Sequence, residues 1–181
     1  MANLYYYIVT SLPMLSYDME KPPAEADFFD CCGAVLSETN YAIIRSATLV
    51  PREEKSVNKT IERWNCWERG LRNELVKMRA SKKSQDSEKY LAVGDSEVGV
   101  SEVAREAFQA ASPLDAELVI NKARWEYLEL LEAGNYFNLS KLIIYFLKLQ
   151  VLQRKLEIDK EKGKTAFTEI YAAVLEKGMA Q

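Results

Sequence analysis

The stretch from Leu139 to Leu156 constrains this chain more than any other, because it is apolar around most of a helix yet cannot cross a membrane. Leu142, Phe146, Leu149, Leu152 and Leu156 step by helical spacings and share one face. Ile143, Ile144, Tyr145, Leu147 and Val151 fall off that face. A hydrocarbon span needs about 20 largely apolar residues, and Lys141 and Lys148 interrupt this one. A helix apolar on most sides needs neighbours on most sides, so the pattern predicts the central helix of an all-α packing. Asn138 or Ser140 can cap its start.

The segment before it is built to pair with it. Ser112 suits an N-cap, Pro113 the first helical position, Asp115 the positive helix end, and Gly134 a terminator. The apolar stripe runs Leu114, Leu118, Asn121 or Lys122, Trp125, Leu128, and Leu131 or Glu132. Gly134 then turns this helix directly into the central one, a C-terminal helical hairpin.

A second long helix is expected from Pro51 to about Lys83. Val57, Trp64, Leu71 and Met78 recur every seven residues, with Ile61 and Leu75 between them, and Glu68 breaks the series. At about 1.5 Å per residue such a helix is about 45 Å long. Shorter helices are predicted over the opening NLYYYIVTSLPML, over AEADFFDCCGAVL, over a segment introduced by Ser37, over SEVAREAFQAAS, and over the last residues, where Phe167, Ile170, Tyr171, Val174 and Leu175 face inward. The prolines of SYDMEKPPAE mark a linker. The fold class is therefore all-α: a helical bundle of about six to eight helices with one long helix and a C-terminal hairpin. It forms a single helical domain over residues 1–181, with a flexible connection near residues 81–100 that is rich in Ser, Lys, Asp and Gly.

Composition narrows the chemistry. The chain has no histidine among its 181 residues, which removes the commonest general base, the usual partner of a Ser or Cys nucleophile, and most zinc sites. Three cysteines, Cys31, Cys32 and Cys66, give neither a disulfide framework nor metal-ligand spacing. Cys66 has only Arg and Glu beside it on its helix and reads as a structural thiol. Glu126, Glu129 and Glu132 step by three with no matching ligand set on another helix, so they read as a solvated face. Gly94 and Gly99 belong to no phosphate-cradling motif. No catalytic, cofactor or metal residue is expected, and the start of the chain lacks the charged, then apolar, character of a signal peptide, so a cytoplasmic location is expected.

Charge is unevenly divided. Residues 51–83 hold ten Lys or Arg against five Asp or Glu, a local +5, while the remainder holds 14 against 22, or −8. Either this is a solvated helix face with pairs such as Glu68 and Arg72, or a basic ridge seeking an acidic partner. The candidate partner-binding residues are Arg63, Arg69, Arg72, Lys77 and Arg79. Nucleic acid is disfavoured by the sequence pI of about 5.3, and Trp64 and Trp67 lie at packing spacing rather than as a stacking platform.

Several segments carry a family resemblance: the opening Pro113 to Glu117, the pattern Arg124, Trp125, Leu128, the turn Asn135 to Phe137, and Tyr145 to Arg154, with YYYIVTSLPML and LRNELVKMRA upstream. Together they resemble the uncharacterised family encoded within bacterial V/A-type ATPase operons, itself similar to the C-type subunit (d-type in eukaryotes) of those machines. The resemblance implies a non-catalytic structural or accessory part of a rotary, ion-translocating ATPase. Its expected partners are stalk or membrane-ring subunits, and it would meet the membrane only through that complex, without inserting. The C-type subunit is an all-helical socket built from repeated helical units, and this chain is too short to form the whole of it. An independent cytoplasmic helical adaptor is the alternative.

Overall fold

In the computed structural model, which describes residues 2–52, 54–93 and 99–158, seven α-helices follow one another: α1 (Ala2–Ser11), α2 (Glu25–Gly33), α3 (Glu38–Ser46), α4 (Lys59–Lys82), α5 (Val100–Gln109), α6 (Pro113–Glu132) and α7 (Leu139–Glu157). A single 3₁₀ turn (Glu88–Tyr90) lies between α4 and α5. No strand occurs among the described residues. The expected all-α bundle with a long helix and a C-terminal hairpin is thus what the sequence forms. The expected last helix, with Phe167 to Leu175, lies outside the described residues.

Helix α7 is the centre. Every residue from Leu142 to Leu149 is buried, Lys148 included, followed by Val151 and Leu152. Leu156, expected on the same face, is 43% exposed in the last turn. Asn138 supplies the cap, its side chain accepting from the Lys141 amide at 2.9 Å. Helix α6 begins as its sequence dictates: Ser112 accepts from the Asp115 amide at 3.1 Å and Pro113 takes the first turn. Asn121 rather than Lys122, and Leu131 rather than Glu132, face the core, while Leu118 stays partly exposed. Gly134, at φ +83°, makes the turn into α7.

The long helix is shorter than the seven-residue pattern predicts. It starts at Lys59, not Pro51, because Asn58 takes the amides of Thr60 and Ile61 at 2.9 and 3.3 Å and ends the irregular approach there. The carboxylate of Glu62 reaches back to the Ser56 amide at 2.9 Å and fixes that approach. Val57, the first residue of the expected seam, is consequently outside the helix and fully exposed. The remaining 24 residues span about 36 Å. Ile61, Trp64, Leu71 and Leu75 are buried as expected, with Met78 half-buried.

Helices α4, α5, α6 and α7 pack on one another, and α1, α2 and α3 lie against α7. Phe28 of α2 stacks on Tyr145 and Phe146 of α7 at ring separations of 5.4 and 5.6 Å. The segment between α1 and α2 is pinned to α7 by Tyr145, whose hydroxyl donates to the Pro13 carbonyl at 3.0 Å, and by Lys155, which donates to the Tyr17 carbonyl at 2.8 Å. Across α4 and α6, Trp67 stacks on Tyr127 at 4.7 Å and Trp64 on Trp67 at 5.8 Å. Both tryptophans are therefore core residues. After α4, the expected loop is tied back by a reciprocal amide pair, Asn73 donating to the Ala92 carbonyl at 2.8 Å and accepting from its amide at 2.9 Å. The part of that connection at residues 94–98 lies outside the described residues.

Candidate functional site

Ionisable groups gather in three places, and their partners separate structural roles from surfaces left open. The first is a buried chain of charge linking α4, α6 and α7. Glu68, where the apolar seam breaks, is completely buried. Arg124 grips it with two bonds, Nε to Oε2 at 3.0 Å and Nη2 to Oε1 at 2.7 Å, and Arg72 adds a third from Nε at 2.9 Å. Arg124 also donates to Asn121 at 2.9 Å and Glu117 at 3.2 Å, and Glu117 accepts from Arg154 of α7 at 2.6 Å. Burial works against the charged Arg124, but Glu68 and Glu117 together hold its pKa above the ordinary value. The Glu68 carboxylate, bonded to two guanidinium groups, joins α4 to α6, and Glu117 carries the chain on to Arg154 of α7.

The second is a cleft of about 390 Å³ between α1 and the α6–α7 hairpin. Leu12, Leu15 and Leu142 form its apolar wall, and Lys141 and Lys148 both bond to Glu132 opposite. Burial lowers the pKa of both lysines, that of Lys141 further through the charge of Lys148, while Glu129 works the other way on Lys148. Lys148 lies 4.8 Å from the Trp125 ring centroid, and the Trp125 Nε1 donates to Glu129 at 2.9 Å. Of the three glutamates expected on a solvated face, Glu126 and Glu129 are exposed, Glu126 loosely paired with Lys122 at 4.0 Å. Glu132 departs from that face, half-buried and engaged with Lys141 and Lys148 of α7.

The third is a groove of about 500 Å³ between the start of the α4 approach, α4 itself and the segment before α5. Arg52, Arg69 and Arg72 line it together with Val50, Leu91 and Val93. Arg69 is held in place: Nη2 donates to Glu62 at 3.0 Å and Nη1 to the Arg52 carbonyl at 3.1 Å. Its pKa is raised by the Cys66 thiol, at 3.5 Å, against an opposing effect of burial, and further by Glu62. Burial would raise the Glu62 pKa, but the Ser56 amide and Arg69 outweigh it and lower it. The buried Nε of Arg69 has no partner among the described residues. Cys66 is half-buried between Glu62 and Arg69, consistent with a packing thiol.

The five cations that the sequence singles out do not form one ridge. At about 100° per residue, Arg69, Arg72 and Arg79 fall on one side of α4, and Arg63 and Lys77 on another. Arg69 and Arg72 meet in the groove; Arg79 borders a separate hollow beside Phe108, and Lys77 pairs with Glu74 at 2.7 Å. Arg63 is exposed, its backbone carbonyl accepting from the Tyr127 hydroxyl at 3.3 Å. A helix beginning at Pro51 would carry Arg52 within it; the later cap at Asn58 places Arg52 across the groove from α4 instead.

The fold and these sites define an all-helical protein whose buried charges link helices and which presents an arginine-lined groove along α4. Residues 100–179 match a family model described as a protein of unknown function (DUF2764), which takes in α5, α6 and α7. No curated protein and no solved structure matches the chain. Among the described residues no group of three His, Cys, Asp or Glu could hold a metal ion, and no helix is long and apolar enough to cross a membrane.

Proposed function

We propose that this protein is a non-catalytic structural or accessory subunit of a V/A-type, rotary, ion-translocating ATPase, similar to the C-type (eukaryotic d-type) component that couples the central stalk to the membrane ring. The observation that carries the binding half of this reading is the division of labour among its charges. Glu68, Arg124, Glu117 and Glu132 are committed to joining helices, whereas Arg52, Arg69 and Arg72 converge on an open groove. Such a body grips a partner with preset side chains and contributes no reacting group. The ATPase half is supported by the sequence resemblance alone. On this reading the protein is cytoplasmic and reaches the membrane through the complex.

The same groove would serve an independent helical adaptor. The two readings part in one experiment: affinity recovery of the tagged full chain from cytoplasm and from detergent-solubilised membranes, with mass spectrometry of the co-purified proteins. Stalk or ring subunits are the expected companions. Their absence from the membrane fraction, with a soluble protein recovered in stoichiometric amount, would overturn the ATPase reading in favour of the adaptor.

A further inference from the structure

We infer that the groove along α4 binds an acidic, aliphatic-bearing peptide segment of a partner protein, its carboxylates on Arg52, Arg69 and Arg72 and its aliphatic side chains against Val50, Leu91 and Val93. This deepens the proposed function by naming what the partner presents. Arg69 and Arg72 stand one helical turn apart and are each fixed from behind, Arg69 by Glu62 and Arg72 by Glu68. The carboxylates that orient them are not part of its lining, and no carboxylate lines it among the described residues. Arg69 keeps a buried Nε without a partner, and Arg72 makes no bond through its Nη groups among the described residues. Donors held in position before binding lose little freedom when a carboxylate arrives, which favours charge-assisted bonds at this place.

The rim selects the class of ligand. Val50 is 58% and Val93 96% exposed, and Leu91, which lines the groove with them, is half-buried. A bare phosphate would have no use for these side chains. A peptide alternating acidic and aliphatic residues uses both, the first on the guanidinium groups and the second on the rim.

The test is a fluorescence-anisotropy titration of the full chain with a short fluorescein-labelled peptide in which Glu and Leu alternate. Two variants accompany it, Arg52→Glu and Val93→Ser, neither of which touches the Glu68 pair; unchanged circular dichroism and melting confirm their fold. The expected result is saturable binding that weakens with added salt, by about tenfold or more in Arg52→Glu and severalfold in Val93→Ser. Equal binding by the native chain and Arg52→Glu would overturn the proposal, as would equal affinity for a peptide with Gln in place of Glu. A peptide with Ser in place of Leu binding as tightly would reduce the groove to a bare anion site, and retention of anionic vesicles in preference to the peptide would reassign it to a lipid surface; either result overturns the inference. No ATPase component enters this titration, so its failure leaves the proposed function to its own experiment, and failure to recover ATPase components leaves the groove's specificity standing.

Discussion

Glu68 occupies a position where the apolar repeat of α4 calls for a hydrophobic side chain, and its burial makes Arg124 the residue most exposed to harm by substitution. Replacing Glu68 with Ala leaves the buried Arg124 with only Asn121 and Glu117. Breaking a buried pair on one side costs about 3–5 kcal/mol, and these remaining acceptors place the expected loss near the lower end. In urea unfolding this moves the midpoint down by about 1–2 M. Replacing both Glu68 and Arg124 with Met removes the two charges together and restores most of the loss. A double variant no more stable than the single one would mean that the pair's remaining bonds, through Arg72 and Glu117, matter more than the pair. The break in the repeat is legible in the sequence as a break. Its meaning is not, because the partner is 56 residues away on α6 and nothing in a one-dimensional pattern joins the two. The groove is legible in the same partial way: the excess of positive charge in residues 51–83 points to α4, but Arg63 and Lys77 turn away from it, and Arg52, Val50, Leu91 and Val93 enter it from segments whose path is set by tertiary contacts.

Helices are most legible where capping chemistry and apolar period agree. Ser37, Ser112 and Asn138 each cap the helix that the sequence assigns to them, and Gly134 ends α6 as expected. The start of α4 differs from expectation because a seven-residue repeat can be extended through Val57 by coincidence, whereas the side chain of Asn58 decides where amides are satisfied. That contrast sets an element-scale prediction. At Gly134, φ is +83° and a Cβ would meet no atom within 4 Å, so Gly134→Ala costs backbone strain and no packing. The expected loss is about 1 kcal/mol, lowering the melting temperature by about 2–4 °C. Gly134→Asn should recover part of it, since Asn tolerates the left-handed region better than Ala. Equal stability of the Ala variant and the native chain in calorimetry would show that the α6–α7 turn relaxes into another conformation at no cost.

At the level of the whole molecule, the boundary at residue 100 set by the family match divides a packing unit. The match takes in α5, α6 and α7 but not α4, and α4 packs on both α5 and α7 and reaches α6 through the Glu68–Arg124 pair. Without α4, Arg124 loses Glu68, Tyr127 loses its stack on Trp67, and the buried Val100, Ala104 and Ala107 of α5 lose their neighbour. A buried cation without its carboxylate and an uncovered aromatic face act against folding together. A fragment of residues 100–181 is therefore expected to show reduced helicity by circular dichroism and no cooperative urea transition. A fragment of residues 55–181 retains Asn58, the whole of α4 and the Glu68–Arg124 pair, and is expected to unfold cooperatively, though at lower urea than the full chain because Phe28 and its ring contacts on α7 are gone. A sharp transition for the shorter fragment would mean that α5, α6 and α7 close on themselves and that α4 is docked onto a finished unit. The opposite result makes α4, which also carries two of the groove's three arginines, inseparable from the core, so that the binding surface and the fold stand or fall together.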